Sequence, residues 1–270
     1  MRVIVIFFLL TLLVSWSLFI AAANVSRNVA PGSTFSPLGY VIYLIGVFTP
    51  GVVAMLLSWR EQKRVGVIAL LSQMLRTPSH FAWYLFAVGY FLVIKLIAAL
   101  IYRVLVGQWP VFGHESFVFI AAAVIFSTPF QAGEELGWRG FALPRLSDHL
   151  GLPIASIIIG IIWATWHLPF FFFVGADKFG QSFPMYLASV VALSVTMAWL
   201  YWRTGGSLLL VMLMHSAVNN TTDIVPSALS TAANVWSIHA SPIAWISTAL
   251  LCIVAIYFLL QMQGAKLGAR

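Results

Sequence analysis

The side chains best suited to chemistry lie in one charged stretch, residues 133–140, inside a long apolar segment. The stretch holds two of the seven acidic residues in the chain. Ionisable groups in a membrane segment cost roughly 2.5–3.5 kcal/mol each and persist where they are paired or line a wet cavity. Glu135 and Arg139 are four residues apart and can pair on one helix face. Glu134 lies about 100° round the helix and has no local cation, so we expect it to be the reactive member.

Two further apolar segments carry polar side chains without a local partner. His215 and Asn219 are four residues apart, so both project from one helix face. His167 is followed two residues later by Pro169, which has no N–H and predicts a kink or local end of the helix. Irregular backbone at membrane depth is tolerated where it lines a cavity. One intramembrane histidine can serve only to join helices, but polar groups in three segments predict one buried site.

The chemistry that these groups support is hydrolysis by an activated water molecule. The Glu134 carboxylate can take a proton from water, and His167 can share that proton or orient the water. His215 and Asn219 can donate hydrogen bonds to a developing oxyanion. Cys252, the one cysteine of the chain, has no histidine nearby in the sequence, which disfavours a thiol nucleophile.

A metal-dependent version of the same site stays open at this point. Two histidines and a carboxylate form a common catalytic zinc set that leaves a fourth position for water. Glu134 would then be either a ligand or the base. The HExxH spacing is absent, so the sequence gives no independent signal for zinc and we assign no metal ligand. The cofactor is therefore unassigned, with a divalent metal such as zinc as the alternative.

Composition indicates the class of protein in which this site lies. The chain has 270 residues, of which 61% are hydrophobic and 8% are charged, with a mean hydropathy of +0.99. Soluble domains carry about 25% charged residues. Apolar runs of helical length, without the alternation of a β-barrel, predict an all-α integral membrane protein.

Apolar runs and their breaks predict a polytopic bundle of about eight transmembrane helices. The expected spans are residues 3–23, 38–58, 81–106, 117–143, 154–174, 185–202, 207–223 and 242–262. The first run also resembles a signal peptide, but its apolar part exceeds the usual length, which favours a retained helix. Residues 65–76 are too short to span and predict an interfacial helix. Lys95, inside the third span, is interpreted as snorkelling or paired within the bundle.

The distribution of basic residues predicts the orientation of the bundle. Eight spans bring both termini to one side, and most basic residues fall on that side: Arg2, Arg60, Lys63, Arg64, Arg76, Arg145, Arg203, Lys266 and Arg270. Only Arg27, Arg103 and Lys178 fall at or near the other side. Both termini are therefore predicted to be cytoplasmic. The net charge of +7 then reflects topology and contact with anionic lipid, and we expect no nucleic-acid partner.

Three motifs in these segments resemble the CAAX prenyl endopeptidase and bacteriocin-processing (CPBP, or Abi) family of intramembrane proteases. The EExxxR motif is residues 134–139 and continues through residues 140–145 as in many bacterial members. The FxxxH motif is residues 163–167, with Trp163 in place of phenylalanine, and the HxxxN motif is residues 215–219. The order and spacing of all three carry the resemblance. Since Trp163 is also a large aromatic residue, we expect it to serve packing alone.

The resemblance implies an all-helical intramembrane endopeptidase with a cavity open to the cytoplasmic side. It implies that Glu134 and His167 activate water, that His215 and Asn219 form the oxyanion site, and that Glu135 and Arg139 give structural support. Residues 1–110 would form N-terminal transmembrane helices with the interfacial helix, and residues 111–270 the protease core and C-terminal helix. The expected partners are the lipid bilayer and a membrane-associated or CAAX-like peptide, and the expected location is the bacterial inner membrane.

Two other functions compete with proteolysis. The first is a non-proteolytic membrane partner, such as a bacteriocin-immunity or scaffold protein, in which the same residues would only stabilise the fold. The second is a small transporter in which Glu134 and His167 relay protons. Transporters of that kind are built from inverted repeats with paired broken helices, and the sequence has no clear case of either.

Overall fold

The computed structural model describes residues 1–27, 34–227 and 234–267, and within these ranges the regular secondary structure is entirely helical. The α-helices are α1 (Arg2–Val25), α2 (Pro37–Ser72), α3 (Ala82–Val106), α4 (Phe117–Ser127), α5 (Ala132–Glu135), α6 (Leu143–Leu150), α7 (Leu152–Trp166), α8 (Phe183–Arg203), α9 (Leu208–Thr221) and α10 (Pro242–Gln261). Six helical segments in the described ranges are long and apolar enough to cross a membrane. The predicted all-α polytopic membrane bundle is therefore confirmed.

The two remaining predicted spans are shorter as helices than their apolar runs. The span at residues 154–174 is α7, of 15 residues, followed by a 3₁₀ turn at Leu168–Phe171. The span at residues 207–223 is α9, of 14 residues, followed by a 3₁₀ turn at Thr222–Ile224. The predicted helix break before Pro169 is confirmed, because α7 ends at Trp166.

The predicted interfacial helix is continuous with the second span across a sharp kink. Within α2, Gln62 and Lys63 leave the helical conformation, and Lys63 has a positive φ of 52°, which is uncommon for a residue other than glycine. The chain then continues as helix to Ser72 and as a 3₁₀ turn at Gln73–Leu75. The sequence predicted two separate segments here, and the structure joins them directly at the kink of Gln62 and Lys63.

The predicted fourth span is broken into five pieces around the charged stretch. After α4 the chain forms a 3₁₀ turn at Thr128–Gln131, then the single-turn helix α5, a π-helix at Leu136–Ala142, and α6. The π-helix is seven residues long and every one of them is buried. π-helical turns are rare and are frequently found at functional sites. Pro144 lies in the first turn of α6, directly after the π-helix.

Helix α1 is packed into the bundle through one face. Its buried residues recur every three or four positions: Ile4, Phe7, Thr11, Ser15, Phe19 and Ala22. The ring of Phe7 lies 5.7 Å from that of Trp138 in the π-helix. Pro50 in α2 has no N–H, which leaves the carbonyl of Gly46 without its helical donor, and the Ser15 hydroxyl donates to that carbonyl at 2.9 Å. This face makes α1 an integral part of the bundle.

The two ends of the described chain lie at the same end of the bundle. The Met1 amino group lies 3.1 Å from Nε2 of His149. The Leu152 amide donates to the carbonyl of Ala265 at 3.0 Å, and the Leu267 amide lies 3.3 Å from the Ser147 hydroxyl. All these contacts surround the junction between α6 and α7. Arg270, used above as a topology marker, lies outside the described residues.

The buried lysine in α3 has partners within the protein. Lys95 is 1% exposed, and its Nζ donates at 2.9 Å to the Val225 carbonyl and at 2.9 Å to the Ser227 hydroxyl. Both acceptors belong to the segment that follows α9. The interpretation of Lys95 as a residue paired inside the bundle is confirmed, and its interactions fix the end of α9 against α3.

Candidate active site

The side chain of Glu134 is held on a short helix that contacts α2 directly. A Cβ at Gly51 of α2 would lie 2.9 Å from the carbonyl oxygen of Gly133, so only glycine permits this backbone contact. Glu134 follows Gly133, and its side chain is 7% exposed. Its Oε2 accepts a hydrogen bond of 2.7 Å from the indole Nε1 of Trp163.

Glu135 points into a different, fully occupied environment. Nη1 of Arg139 donates to both of its carboxylate oxygens, at 2.8 and 3.0 Å. Both side chains are 0% exposed. The predicted pairing of Glu135 with Arg139 is therefore confirmed. It is made across the start of the π-helix, where residues four apart still face one another.

His215 joins the same carboxylate from α9. Its Nδ1 lies 2.7 Å from Oε1 of Glu135, and its ring lies 5.1 Å from that of Trp163, edge to face. Because an ionised carboxylate only accepts hydrogen bonds, Nδ1 of His215 carries the hydrogen. Nε2 is then an acceptor in neutral imidazole and a donor in imidazolium, and Glu135 supplies the counter-ion for the second form.

His167 lies at the end of α7, where the helix turns into the 3₁₀ segment. Its amide bonds to the carbonyl of Ala164, one residue short of the α-helical acceptor, Trp163. Nδ1 of the His167 ring takes over that acceptor at 2.9 Å. A carbonyl oxygen can only accept, so Nδ1 carries the hydrogen and Nε2 of neutral His167 is free to accept one. The proline-induced end of the helix thus fixes the tautomer of this histidine.

Asn219 is the one predicted site residue that the structure does not link to the others. It lies one turn beyond His215 on α9, as its spacing predicted, but its side chain is exposed. It makes no hydrogen bond with the residues that the structure describes. The neighbouring Asn220 instead donates to the Ser127 hydroxyl at 2.9 Å and so ties α9 to α4.

Trp163 was expected to serve packing alone, and that expectation is wrong. Its indole N–H donates to Glu134, its carbonyl accepts from His167, and its ring lies 4.4 Å from the guanidinium carbon of Arg139. A phenylalanine would supply the ring without the hydrogen bond. The signal in the sequence was the departure from the FxxxH motif itself, because the N–H of a buried tryptophan usually finds an acceptor and Glu134 lies in another apolar segment.

The described residues give the metal-dependent version no support. No group of three or more histidine, cysteine, aspartate or glutamate side chains within the described ranges is arranged to hold a metal ion. Glu135 is already bonded to Arg139 and His215, and Nδ1 of His167 is bonded to a carbonyl. These groups form a hydrogen-bonded network rather than a set of converging ligands, so no step below is routed through a metal.

Two comparisons show which known proteins this chain resembles. Residues 113–221 match the family model of the type II CAAX prenyl endopeptidases, Rce1-like. The chain is also 24% identical over 231 residues to CAAX prenyl protease 2 of Methanococcus maripaludis, an alignment that covers 82% of this chain and 84% of that protein. All three motifs lie within the matched segment. The resemblance read from the sequence is thus confirmed: residues 113–221 of this integral membrane protein are similar to the Rce1-like CAAX prenyl endopeptidases.

Proposed function

We propose that the protein is an intramembrane endopeptidase that hydrolyses a peptide bond of a membrane-associated or CAAX-like peptide. The family match supports a membrane-embedded protease. The observation that carries the proposal is the division between two adjacent carboxylates. Glu135 is neutralised by Arg139 and bonded to His215, whereas Glu134 has one neutral N–H donor and keeps its basicity for a substrate or water.

In this mechanism Glu134 and His167 act on one water molecule. Nε2 of His167 accepts a hydrogen bond that orients the water, and the Glu134 carboxylate takes a proton as the water oxygen bonds to the carbonyl carbon. The tetrahedral intermediate then collapses. Glu134 returns the proton to the leaving nitrogen as the C–N bond breaks, which leaves a carboxylic acid and an amine; proton transfer from the acid to the amine then gives the carboxylate and the ammonium group.

His215 and Asn219 stabilise the oxyanion of the intermediate. The role of His215 requires the imidazolium form, because Nδ1 is committed to Glu135 and only a protonated Nε2 donates. Asn219 has no competing hydrogen bond among the described residues, so its amide is free to turn toward the intermediate. Hydrogen bonds of this kind act where charge develops.

We place the protein in a lipid bilayer, with the bacterial inner membrane as the proposed location. The relative named above is archaeal, so the proposal for location rests on the short loops and tryptophan-rich spans of this chain. The proposed partner is the peptide substrate itself.

The test is cleavage by the purified protein in lipid nanodiscs. Two probes are used: an internally quenched prenylated peptide with a CAAX terminus and a library of membrane-spanning peptides. Glu134→Gln should lower the cleavage rate by about 10²-fold or more, the usual contribution of a general base. Glu115→Gln, at an exposed carboxylate, is the matched control and should leave the rate unchanged. A chelator arm tests independently for a metal requirement.

Asn219→Ala in the same assay addresses the oxyanion site. We expect kcat to fall by about 10²-fold with little change in KM, since the oxyanion exists only in the transition state. Full cleavage by Glu134→Gln would refute the mechanism. Absence of cleavage by the wild type on both probes, with an unchanged cellular phenotype in Glu134→Gln, would favour the non-proteolytic partner.

A further inference from the structure

Trp163 is the residue at which the candidate active site converges. It is 4% exposed and contacts Glu134, His167, Arg139 and the ring of His215. These four side chains come from three separate parts of the chain. Trp163 is thus placed to set their relative positions, although nothing in the proposed chemistry assigns it a reaction step.

The contact with Glu134 differs in kind from the others. Arg139 and His215 contact the ring of Trp163, and His167 bonds to its backbone carbonyl. A phenylalanine would preserve these three contacts. The 2.7 Å bond from Nε1 to Oε2 of Glu134 requires the indole N–H. It is also the one side-chain hydrogen bond that Glu134 makes among the described residues, so the orientation of the carboxylate depends on it.

Other charged or titratable groups near Glu134 would turn it in another direction. Glu135 repels it, while Arg139 and His215 attract it. Tyr43 of α2 and Tyr186 of α8 also lie within electrostatic reach. A carboxylate released by Trp163 would turn toward Arg139, the cation that already holds Glu135. The indole N–H keeps Oε2 on the side of α7, whose C-terminal end is followed by His167 and the 3₁₀ segment.

We propose that Trp163 is a positioning residue for peptide hydrolysis, and that its indole N–H holds the Glu134 carboxylate against α7, the helix that ends at His167, and leaves Oε1 for the attacking water. The inference rests on the proposed role of Glu134 as the base. It assigns Trp163 a function that phenylalanine at the same motif position cannot perform.

The kinetic test replaces Trp163 with phenylalanine, which keeps an aromatic ring and removes the N–H. We expect kcat to fall by about 10- to 100-fold, the equivalent of one hydrogen bond to a charged group, with KM changed less than about twofold. The acidic limb of the pH profile of kcat/KM should move to higher pH, because the ionised carboxylate loses a donor that stabilises it. A purely structural role for Trp163 would lower the yield of folded protein without moving this limb.

The matched control is Trp166→Phe, on the same helix three residues later. Trp166 is 1% exposed, and its Nε1 has no hydrogen-bond partner in the structure. This substitution therefore removes an equally buried indole N–H that holds no carboxylate. It should leave kcat, KM and the pH profile near those of the wild type.

A second measurement does not depend on knowing the substrate. Ultraviolet resonance Raman difference spectra, wild type minus Trp163→Phe and wild type minus Trp166→Phe, report the hydrogen bonding of each indole N–H. Trp163 should show a strongly hydrogen-bonded N–H that weakens in Glu134→Ala, and Trp166 a free one. A free N–H at Trp163 would overturn the inference.

The two experiments separate failure of this inference from failure of the proposed function. Suppose that Glu134→Gln is inactive while Trp163→Phe matches Trp166→Phe in kcat and pH profile. The role of Glu134 as the general base is then supported, and the positioning role of Trp163 is wrong. If Glu134→Gln retains full activity, the proposed mechanism fails first, whatever the spectra report.

Discussion

At the scale of single residues, the site depends on how Glu135 is neutralised. A buried charge that loses its partner destabilises a protein far more than the intact pair stabilises it. Glu135 and Arg139 are both fully buried, and the Nε and Nη2 atoms of Arg139 have no hydrogen-bond partner in the structure. The guanidinium is therefore held by one carboxylate and by the face of Trp163. Any change to Arg139 therefore affects both the Glu135 carboxylate and the ring of Trp163.

Arg139→Ala should lower the free energy of unfolding by about 3–5 kcal/mol, since it leaves Glu135 buried with His215 as its one remaining partner. The measurement is unfolding in detergent micelles, followed by tryptophan fluorescence during an SDS titration. Arg145→Ala is the matched control. Its pair with Glu61 is made at 2.8 Å by side chains about one third exposed, and removing such a pair costs about 0–1 kcal/mol. Equal losses in the two variants would contradict the importance of burial.

Contacts within one helix could be predicted from the sequence, whereas contacts between distant segments could not. Spacing within one helix predicted the pairing of Glu135 with Arg139, because residues four apart face each other. The bond from Trp163 to Glu134 joins residues 29 positions apart, and the bond from His215 to Glu135 joins residues 80 positions apart. No local pattern predicts which of two adjacent glutamates a distant side chain will reach.

At the scale of elements, the charged stretch is positioned by close contact between the π-helix and α2. A Cβ at Gly137 would lie 2.7 Å from Cβ of Pro50 and 2.8 Å from its backbone carbonyl. Real Cβ atoms do not approach backbone so closely, and the backbone of a packed helix cannot move without cost. Small residues are used in this way where membrane helices contact each other. The glycines of this stretch thus bring Glu134 and Glu135 into the bundle.

Gly137→Ala should destabilise the protein by about 1–3 kcal/mol through overpacking. Gly89→Ala in α3 is the control, because a Cβ there meets no atom within 4 Å and alanine is the better helix former. Thermal unfolding in micelles should show a lower midpoint for the first variant and an equal or higher midpoint for the second. An unchanged midpoint for Gly137→Ala would mean that α2 and the π-helix separate readily.

At the scale of the whole molecule, the bundle has two distinct ends, and the distribution of basic residues predicts which end faces the cytoplasm. The contacts of Met1, Ala265 and Leu267 lie at the junction of α6 and α7. The segment with Asp177 and Lys178 follows α7, whose 15 residues carry the chain about 22 Å away from that junction. The two ends of the bundle are therefore distinguishable by experiment.

We expect Lys266 to face the cytoplasm and Asp177 the opposite side. The measurement is labelling of Asp177→Cys and Lys266→Cys with a membrane-impermeant maleimide in intact cells, in a Cys252→Ser background that removes the one native cysteine. Asp177→Cys should react in intact cells, and Lys266→Cys only after permeabilisation. Reaction of both in intact cells would refute the cytoplasmic assignment of the C-terminal end.

By itself the sequence determined the class of the protein and its apolar helical segments, and it predicted the residues of a candidate site. Hydropathy and charge are properties of each segment, so they predict the apolar spans and the orientation without tertiary information. The motifs identified Glu134, Glu135, Arg139, His167 and His215, and the structure brings all five together around Trp163.

Only the tertiary structure decided which partners those residues have and how far each is exposed. The π-helix, the kink at Lys63 and the exposure of Asn219 depend on what packs against each segment, and a single helix does not contain that information. The same holds for Trp163, whose N–H finds its acceptor on another helix. Local spacing fixes which residues share a face, whereas the partner of a buried polar group is set by the neighbouring helices that exclude water from it.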